Sequence, residues 1–337
     1  MEVEMNNSWT PAELLQLSGG YWSACALHAG VKLDVFTPLA ERRHTAKELA
    51  DLVGADTRGL AMLLDALSAM QLLQKSGPNY SLTPFAAEYL SRTSSKFLGH
   101  IILHHHHLMS GWTLLDEAVA SGKPMRDRVS HIDDETARES FEMGMFNLAM
   151  QIAPSIVTHF DLEGRRSLLD LGGGPGTYAI HFCLQNPGLE AVVYDLPTTR
   201  PFAEKVIASF GLENRITFMD GDFINQEIKG SYDVAWLSHI LHGEGPADCR
   251  LLLDKAVKAL KPGGLLLVQE FILNDEKDGP IFPALFSLNM LLGTPDGQAY
   301  AEGEIMAMMV AAGLTDVRRI PMDIPNGAGV IAGNRPR

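Results

Sequence analysis

The sequence predicts an α/β chain, with a doubly wound and mostly parallel sheet following a smaller, mainly α segment. Three observations carry this. From residue 166 onward, short apolar runs alternate with helix-like stretches, as repeated βαβ units require. One junction among them, Leu168-Leu169-Asp170-Leu171-Gly172-Gly173-Gly174-Pro175-Gly176-Thr177-Tyr178, hands an apolar run to a helix through a burst of glycine. The first third has a different order, in which helices are followed by a hairpin.

In chain order, Thr10-Pro11-Ala12-Glu13 is a helix start, and apolar residues recur at helical spacing from Leu14 to Leu27. We expect one long helix over 11–36. Thr45-Ala46-Lys47-Glu48 is a capping box before a short helix ending at Gly54. Asp56-Thr57 caps a further helix, with Leu60, Leu63, Leu64, Leu67 and Met70 on one face. Strand-like runs at 72–75 and 80–82 flank the turn sequence Ser76-Gly77-Pro78-Asn79. Helix, helix, hairpin is a winged-helix order. Residues 1–95 carry seven Lys and Arg against ten Asp and Glu, and the second helix offers one arginine, so DNA reading is disfavoured. Association with a second subunit through the apolar first helix is the better use.

Residues 96–121 and 135–159 read as two further helices. The first contains His104-His105-His106-His107, and His100, His104 and His107 share a face. No carboxylate stands at matching spacing, so we expect no metal. Beyond 159, strands are expected at 166–171, 190–194, 216–219, 232–237 and 265–271, then at 315–321 and 327–334. Helices are expected at 177–185, 198–209, 246–260, 281–291 and 302–312. We therefore divide the chain into 1–95, 96–159 and 160–337.

Length and composition narrow the function. With 337 residues, 46% hydrophobic and 20% charged, the chain can bury a core in two domains. A net charge of -14 repels phosphate backbones, so no nucleic-acid partner is expected. Cys25, Cys183 and Cys249 form no CxxC pair, which fits a reducing cytoplasm. No apolar run approaches the ~18 residues of a membrane span, so no membrane partner is expected either.

The glycine stretch marks a cofactor site but not which cofactor. Gly172, Gly174 and Gly176 fit GxGxG, whereas Gly174, Gly176 and Ala179 also fit the dinucleotide fingerprint. Asp195 ends the next strand, where an acid receives ribose hydroxyls in both classes. Asp222-Phe223 ends the third strand, His239-Ile240-Leu241-His242 follows the fourth and Glu270 ends the fifth. Three acids on one rim suit a cofactor without phosphates and would repel a pyrophosphate.

In order, DLGGGPG, YDLP, GDF, LSHILHGE, LKPGG and VQE stand behind a winged-helix segment ending TPFAAEYL. This set resembles the dimeric small-molecule O-methyltransferases that use S-adenosylmethionine, and the resemblance spans nearly the whole chain. It implies a Rossmann-like class I methyltransferase domain at 160–337, an N-terminal winged-helix dimerisation domain at 1–95, and a helical segment at 96–159 roofing the substrate pocket. It implies a homodimer acting on a small molecule. Gly172, Gly174 and Gly176 would then form the cofactor loop, Asp195 would hold the ribose, Asp222 and Phe223 would flank the adenine, and Ser238 would touch the cofactor. His242 matches the general base of an LHDW motif and Glu270 the acid beside it. Met145 matches the methionine of an FxxxM pattern beginning at Phe141, and Asn289-Met290 matches a stretch across the substrate pocket. Two departures stand out. Gly243-Glu244 replaces the aspartate-tryptophan of that motif, and Ala299 stands where a second flanking glutamate is expected.

The implied chemistry is coherent. A sulfonium already activates its methyl group, so the protein chiefly aligns a nucleophile with it. A phenol, with a pKa of about 10, needs its proton taken as the methyl transfers, and an imidazole, ordinarily titrating at about 6.5, suits that task. The expected reaction is methylation of a hydroxyl, phenolic by preference, on a small aromatic compound, leaving S-adenosylhomocysteine. The alternatives are another nucleophile such as a ring carbon of a tetrapyrrole-type substrate, a nicotinamide-dependent oxidoreductase, and a ligand-sensing transcription regulator.

Overall fold

The computed structural model describes residues 9–128 and 134–337. They fold as two compact units that meet in sequence between His107 and Leu108.

The first unit opens with α1 (Pro11–Ser18) and α2 (Tyr21–Lys32), not the single helix expected over 11–36. The cause is Gly19-Gly20. Two adjacent glycines cost about 1 kcal/mol each in a helix interior, and the Gly19 N–H closes α1 by donating to the Leu15 carbonyl. The capping box of Thr10 and Glu13 starts α1 as the sequence indicates. Next come α3 (Phe36–Glu41), β1 (His44–Thr45), α4 (Ala46–Val53), α5 (Thr57–Ala69), β2 (Leu73–Ser76), β3 (Asn79–Leu82) and α6 (Pro84–Tyr89). Thr45 and Glu48 form the expected box on α4, and the Asp56 side chain caps α5. Leu60, Leu64 and Leu67 of α5 are buried with Val35, Phe36, Leu39 and Leu49. The strands form a small sheet in the order β1-β3-β2. This core leaves Leu14, Leu15, Leu17, Tyr21 and Trp22 exposed along α1 and α2.

Then α7 (Gly99–Trp112) and α8 (Leu115–Ser121) take the place of one helix over 96–121. In the second unit they are followed by α9 (Glu135–Ile156), β4 (Ser167–Leu171), α10 (Thr177–Gln185), β5 (Glu190–Asp195), α11 (Arg200–Ser209), β6 (Ile216–Asp220) and β7 (Tyr232–Ser238). After these come α12 (Pro246–Ala259), β8 (Leu260–Leu273), α13 (Ile281–Gly293), β9 (Tyr300–Ala301), α14 (Glu302–Ala311), β10 (Thr315–Ile320) and β11 (Ala328–Asn334). The large sheet runs β10-β11-β8-β7-β4-β5-β6, with β9 added beside β8. Strands β4 to β8 pair in parallel, whereas β11 lies antiparallel to both β8 and β10.

Both faces of this sheet are covered, which is why its strands read as continuous apolar runs. Alternate residues enter opposite cores. Leu168, Val234, Trp236 and Leu267 meet α9, α10 and α11 on one side. Leu169, Leu171, Ala235, Leu237 and Leu266 meet α12 and α14 on the other. Chain order reverses between β4 and β7, and a sheet of this type places its ligand crevice at the carboxyl ends of the strands beside that reversal.

Candidate active site

The crevice is floored by the turn after β4. Gly172, Gly174 and Gly176 have φ of +66°, +53° and +78°, in the left-handed region that glycine enters without strain. A Cβ on Gly172 would stand 2.4 Å from Ile240 Cδ1, so the close approach there depends on the missing side chain. The turn is tied down by the Gly172 N–H, which donates to the Tyr194 carbonyl at 2.8 Å.

Asp195, at the end of β5, faces this turn. Its Oδ2 accepts from the Gly174 N–H at 2.8 Å and its Oδ1 from the Leu196 N–H at 2.7 Å. Burial pushes its carboxyl up, against the pull of those two N–H groups. Ser238, at the end of β7, donates to Gln269 Oε1 at 3.3 Å. Phe223 Cε1 lies 3.4 Å from where a Gly172 Cβ would be, so its ring borders the floor. Asp222 turns its carboxylate into its own loop, accepting from the Ile224 and Asn225 N–H groups and from Asn225 Nδ2. The structure thus brings Gly172, Gly174, Asp195, Ser238 and Phe223 onto the strand ends around one turn. Glycines free of Cβ atoms beside a fixed carboxylate are the cradle that an adenosyl group needs.

One member of this rim is not evident in the sequence. Glu142, on α9, is buried and accepts from Thr199 Oγ1 at 3.0 Å. Its Oε2 lies 3.8 Å from the Cβ position of Gly174. Burial first, and then the neighbouring Asp195, push its carboxyl up to about 7. Behind the turn, Asp170 is buried and accepts from the Ala179 N–H at 3.1 Å, and burial raises it likewise to about 7.

A second group of residues gathers at the end of β8. His242 sits in a 3₁₀ turn, Leu241–Gly243, and its Nδ1 lies 2.8 Å from Glu270 Oε2. The His242 N–H also donates to Glu270 Oε1 at 3.3 Å. With Nδ1–H given to the carboxylate, Nε2 is left as the acceptor. Burial opposes ionisation of Glu270, yet the imidazoles of His242 and His239 outweigh it and hold the carboxyl well below the usual range. Phe286 meets the His242 ring edge-on at 4.8 Å, and Phe271 and Phe282 continue the aromatic wall.

The two departures noted in the sequence have clear local roles. Glu244 is buried and forms an ion pair with Arg128. Its carbonyl accepts from the Tyr300 hydroxyl at 2.6 Å. The acid therefore holds the Arg128 guanidinium rather than standing in for a ring. Ala299 is buried in a small apolar cluster with Leu273 and Ala301, and its N–H donates to Ser287 Oγ at 2.9 Å.

Of the residues expected at the substrate pocket, Met145 is half-buried on α9, and Asn289 and Met290 are buried on α13. Both oxygens of Asn289 accept from Arg126 Nη2, each at 3.1 Å. Arg126 in turn occupies space at Gly293, where a Cβ would lie 2.3 Å from its guanidinium carbon.

Comparison with known proteins agrees with this geometry. Residues 116–315 match an O-methyltransferase domain and residues 15–92 an O-methyltransferase dimerisation domain. The chain is 34% identical to 3-hydroxy-5-methyl-1-naphthoate 3-O-methyltransferase of Streptomyces sahachiroi, over 96% of this chain and 95% of that protein. It is 31% identical to the tetracenomycin polyketide synthesis 8-O-methyl transferase TcmO of Streptomyces glaucescens, over 97% of each. The crystal structure of human N-acetylserotonin methyltransferase in complex with SAM superposes with a TM-score of 0.86, at 26% identity, covering 99% of this chain and 100% of that one. A glycine floor beside a fixed carboxylate, and family matches that together span residues 15–315, have one explanation: this chain belongs to the O-methyltransferase family and is an S-adenosylmethionine-dependent enzyme.

Proposed function

We propose that the enzyme moves a methyl group to the hydroxyl of a small aromatic compound, with His242 as general base and Glu270 as its orienting partner. The observation that carries this is the 2.8 Å contact between His242 Nδ1 and Glu270 Oε2 at the edge of the glycine-floored crevice. When bound, S-adenosylmethionine supplies an electrophilic methyl on sulfur. Gly172, Gly174 and Gly176 would let its backbone-facing side approach, Asp195 would hold the ribose, and Phe223 with Asp222 and Ser238 would border the adenosyl group.

The remaining work falls to the protein. Glu270 fixes the imidazole tautomer, so that Nε2 accepts the hydroxyl proton as the methyl transfers, and then stabilises the imidazolium. Phe271, Phe282 and Phe286 exclude water and offer an apolar wall to an aromatic ring. Met145, Asn289 and Met290 complete the acceptor pocket. The named substrates of the relatives, a naphthoate and a polyketide, agree with an aromatic acceptor.

The exposed apolar row Leu14, Leu15, Leu17, Tyr21 and Trp22, within or beside the dimerisation match, supports a homodimer. Its three cysteines are unpaired and, among the described residues, no helix is long and apolar enough to cross a membrane. We infer a cytoplasmic location from the unpaired cysteines, and no nucleic-acid partner from the acidic charge. The test is the His242→Ala variant with a panel of phenols. S-adenosylhomocysteine should bind as in the parent, and turnover should fall by about 10²–10⁴-fold. Turnover within a few-fold of the parent would remove His242 as the base.

A further inference from the structure

Three side chains converge on one point at the end of β8, and the reaction uses only two of them. His239 leaves β7 with φ 58°, a left-handed conformation that a residue bearing Cβ adopts at a cost. Its N–H holds it there by donating to the Gln269 carbonyl at 2.8 Å. The turn sends the imidazole over Glu270 and against the Phe271 ring, with centroids 4.2 Å apart. His239 Nδ1 is buried, has no hydrogen-bond partner among the described residues, and lies 3.6 Å from Glu270 Oε2. His242 Nδ1 lies 2.8 Å from the same oxygen.

One nitrogen from each imidazole and one carboxylate oxygen thus fall within 4.8 Å of one another. In a tetrahedral zinc site with bonds of about 2.1 Å, neighbouring donor atoms stand roughly 3.4 Å apart. The separations of 2.8 and 3.6 Å straddle that spacing, so small ring rotations suffice. Two imidazoles and a carboxylate with a fourth position left over is a donor set for zinc and its neighbours, not for calcium or magnesium. Glu270 is braced as a ligand should be, by the N–H groups of Phe271 and His242.

We propose that His239, His242 and Glu270 form a site for a divalent transition ion of the zinc class, and that filling it stops methyl transfer. Ligation through His242 Nδ1 moves the ring proton to Nε2, with no net gain or loss of protons. The nitrogen that must accept the hydroxyl proton then already carries one. Binding itself rests on geometry alone, and the inhibition rests on the reading of His242 as base.

The test uses the full chain and Co²⁺ as a spectroscopic probe. The parent should bind one Co²⁺ with visible absorption typical of four-coordinate geometry, and Zn²⁺ should displace it. His239→Asn, which tolerates the same backbone conformation, should weaken Co²⁺ by more than about tenfold while leaving S-adenosylhomocysteine affinity intact. A parent that shows no such absorption, or a His239→Asn variant that binds as well, overturns the site. So does loss of Co²⁺ in a His104→Gln/His107→Gln variant with binding retained in His239→Asn, because the ion then belongs to the histidine run of α7. Metal binding without loss of turnover keeps the site and removes the inhibition, and with it His242 as the base.

Discussion

Replacing Glu142 by glutamine should make the folded protein less sensitive to rising pH. Glu142 is buried beside Asp195, and its carboxyl titrates at about 7 instead of the ordinary 4.5. A raised carboxyl pKa means that the folded state holds the proton through a window where the unfolded chain has released it. Stability therefore falls as pH rises from about 4.5 to about 7, and the cost is complete above that. With these two values the cost is about 1 kcal/mol at pH 5 and about 3 kcal/mol at pH 8, a difference of about 2 kcal/mol. Glutamine keeps the hydrogen bond from Thr199 and cannot ionise. The assay is urea denaturation of parent and variant from pH 5 to 8, followed by tryptophan fluorescence, since Trp236 is fully buried in the core that α9 joins. The variant should gain on the parent by about 2 kcal/mol across that range. Parallel pH profiles would show that Glu142 is already ionised in the fold, and the reasoning would fail.

Two further outcomes follow from the same structure. Asp233 accepts from the Arg166 and Ser167 N–H groups and pairs with Lys261, and despite some burial these partners bring its carboxyl down to about 2. Here the folded pKa is depressed, so the stabilisation is present above about 3.8 and is lost as pH falls through about 2. Asp233→Asn should flatten acid unfolding between pH 4 and 2, measured by circular dichroism, by about 1 kcal/mol once solvent screening is counted. Glu244→Gln removes the buried carboxylate and leaves the Arg128 guanidinium without its counter-charge. It should destabilise by about 1–3 kcal/mol in thermal unfolding and raise KM for the acceptor more than it lowers kcat. Unchanged stability would show the pair to be idle.

Much of the fold was readable because both faces of the large sheet are buried. That condition turns strand segments such as Val234–Leu237 into short continuous apolar runs, and caps such as Thr45 and Asp56 announce their helices locally. The Gly19-Gly20 break was equally visible, but the apolar spacing from Leu14 to Leu27 masked it. The site divides along the same line. The glycine turn and Asp195 stand at strand ends, and His242 and Glu270 lie within a few residues of one, so all carry a pattern along the chain. Glu142 lies in an unremarkable helical run and meets Asp195 only through packing of α9 on the sheet. The sequence puts His239 on the same rim as Glu270, but their contact depends on a backbone angle that no residue pattern encodes. Arg126 reaches Asn289 from 163 residues away, and no local signal encodes such a contact.

That last contact constrains anyone who would redirect the enzyme to a new acceptor. Asn289 is an obvious position to vary, yet both its oxygens are engaged by one guanidinium that itself needs the bare Cα of Gly293. The three positions are a single heritable unit. A library that randomises position 289 alone keeps the main-chain half of that grip and loses the half made by Oδ1, whereas one that varies 126, 289 and 293 together can exchange the whole peg and its socket.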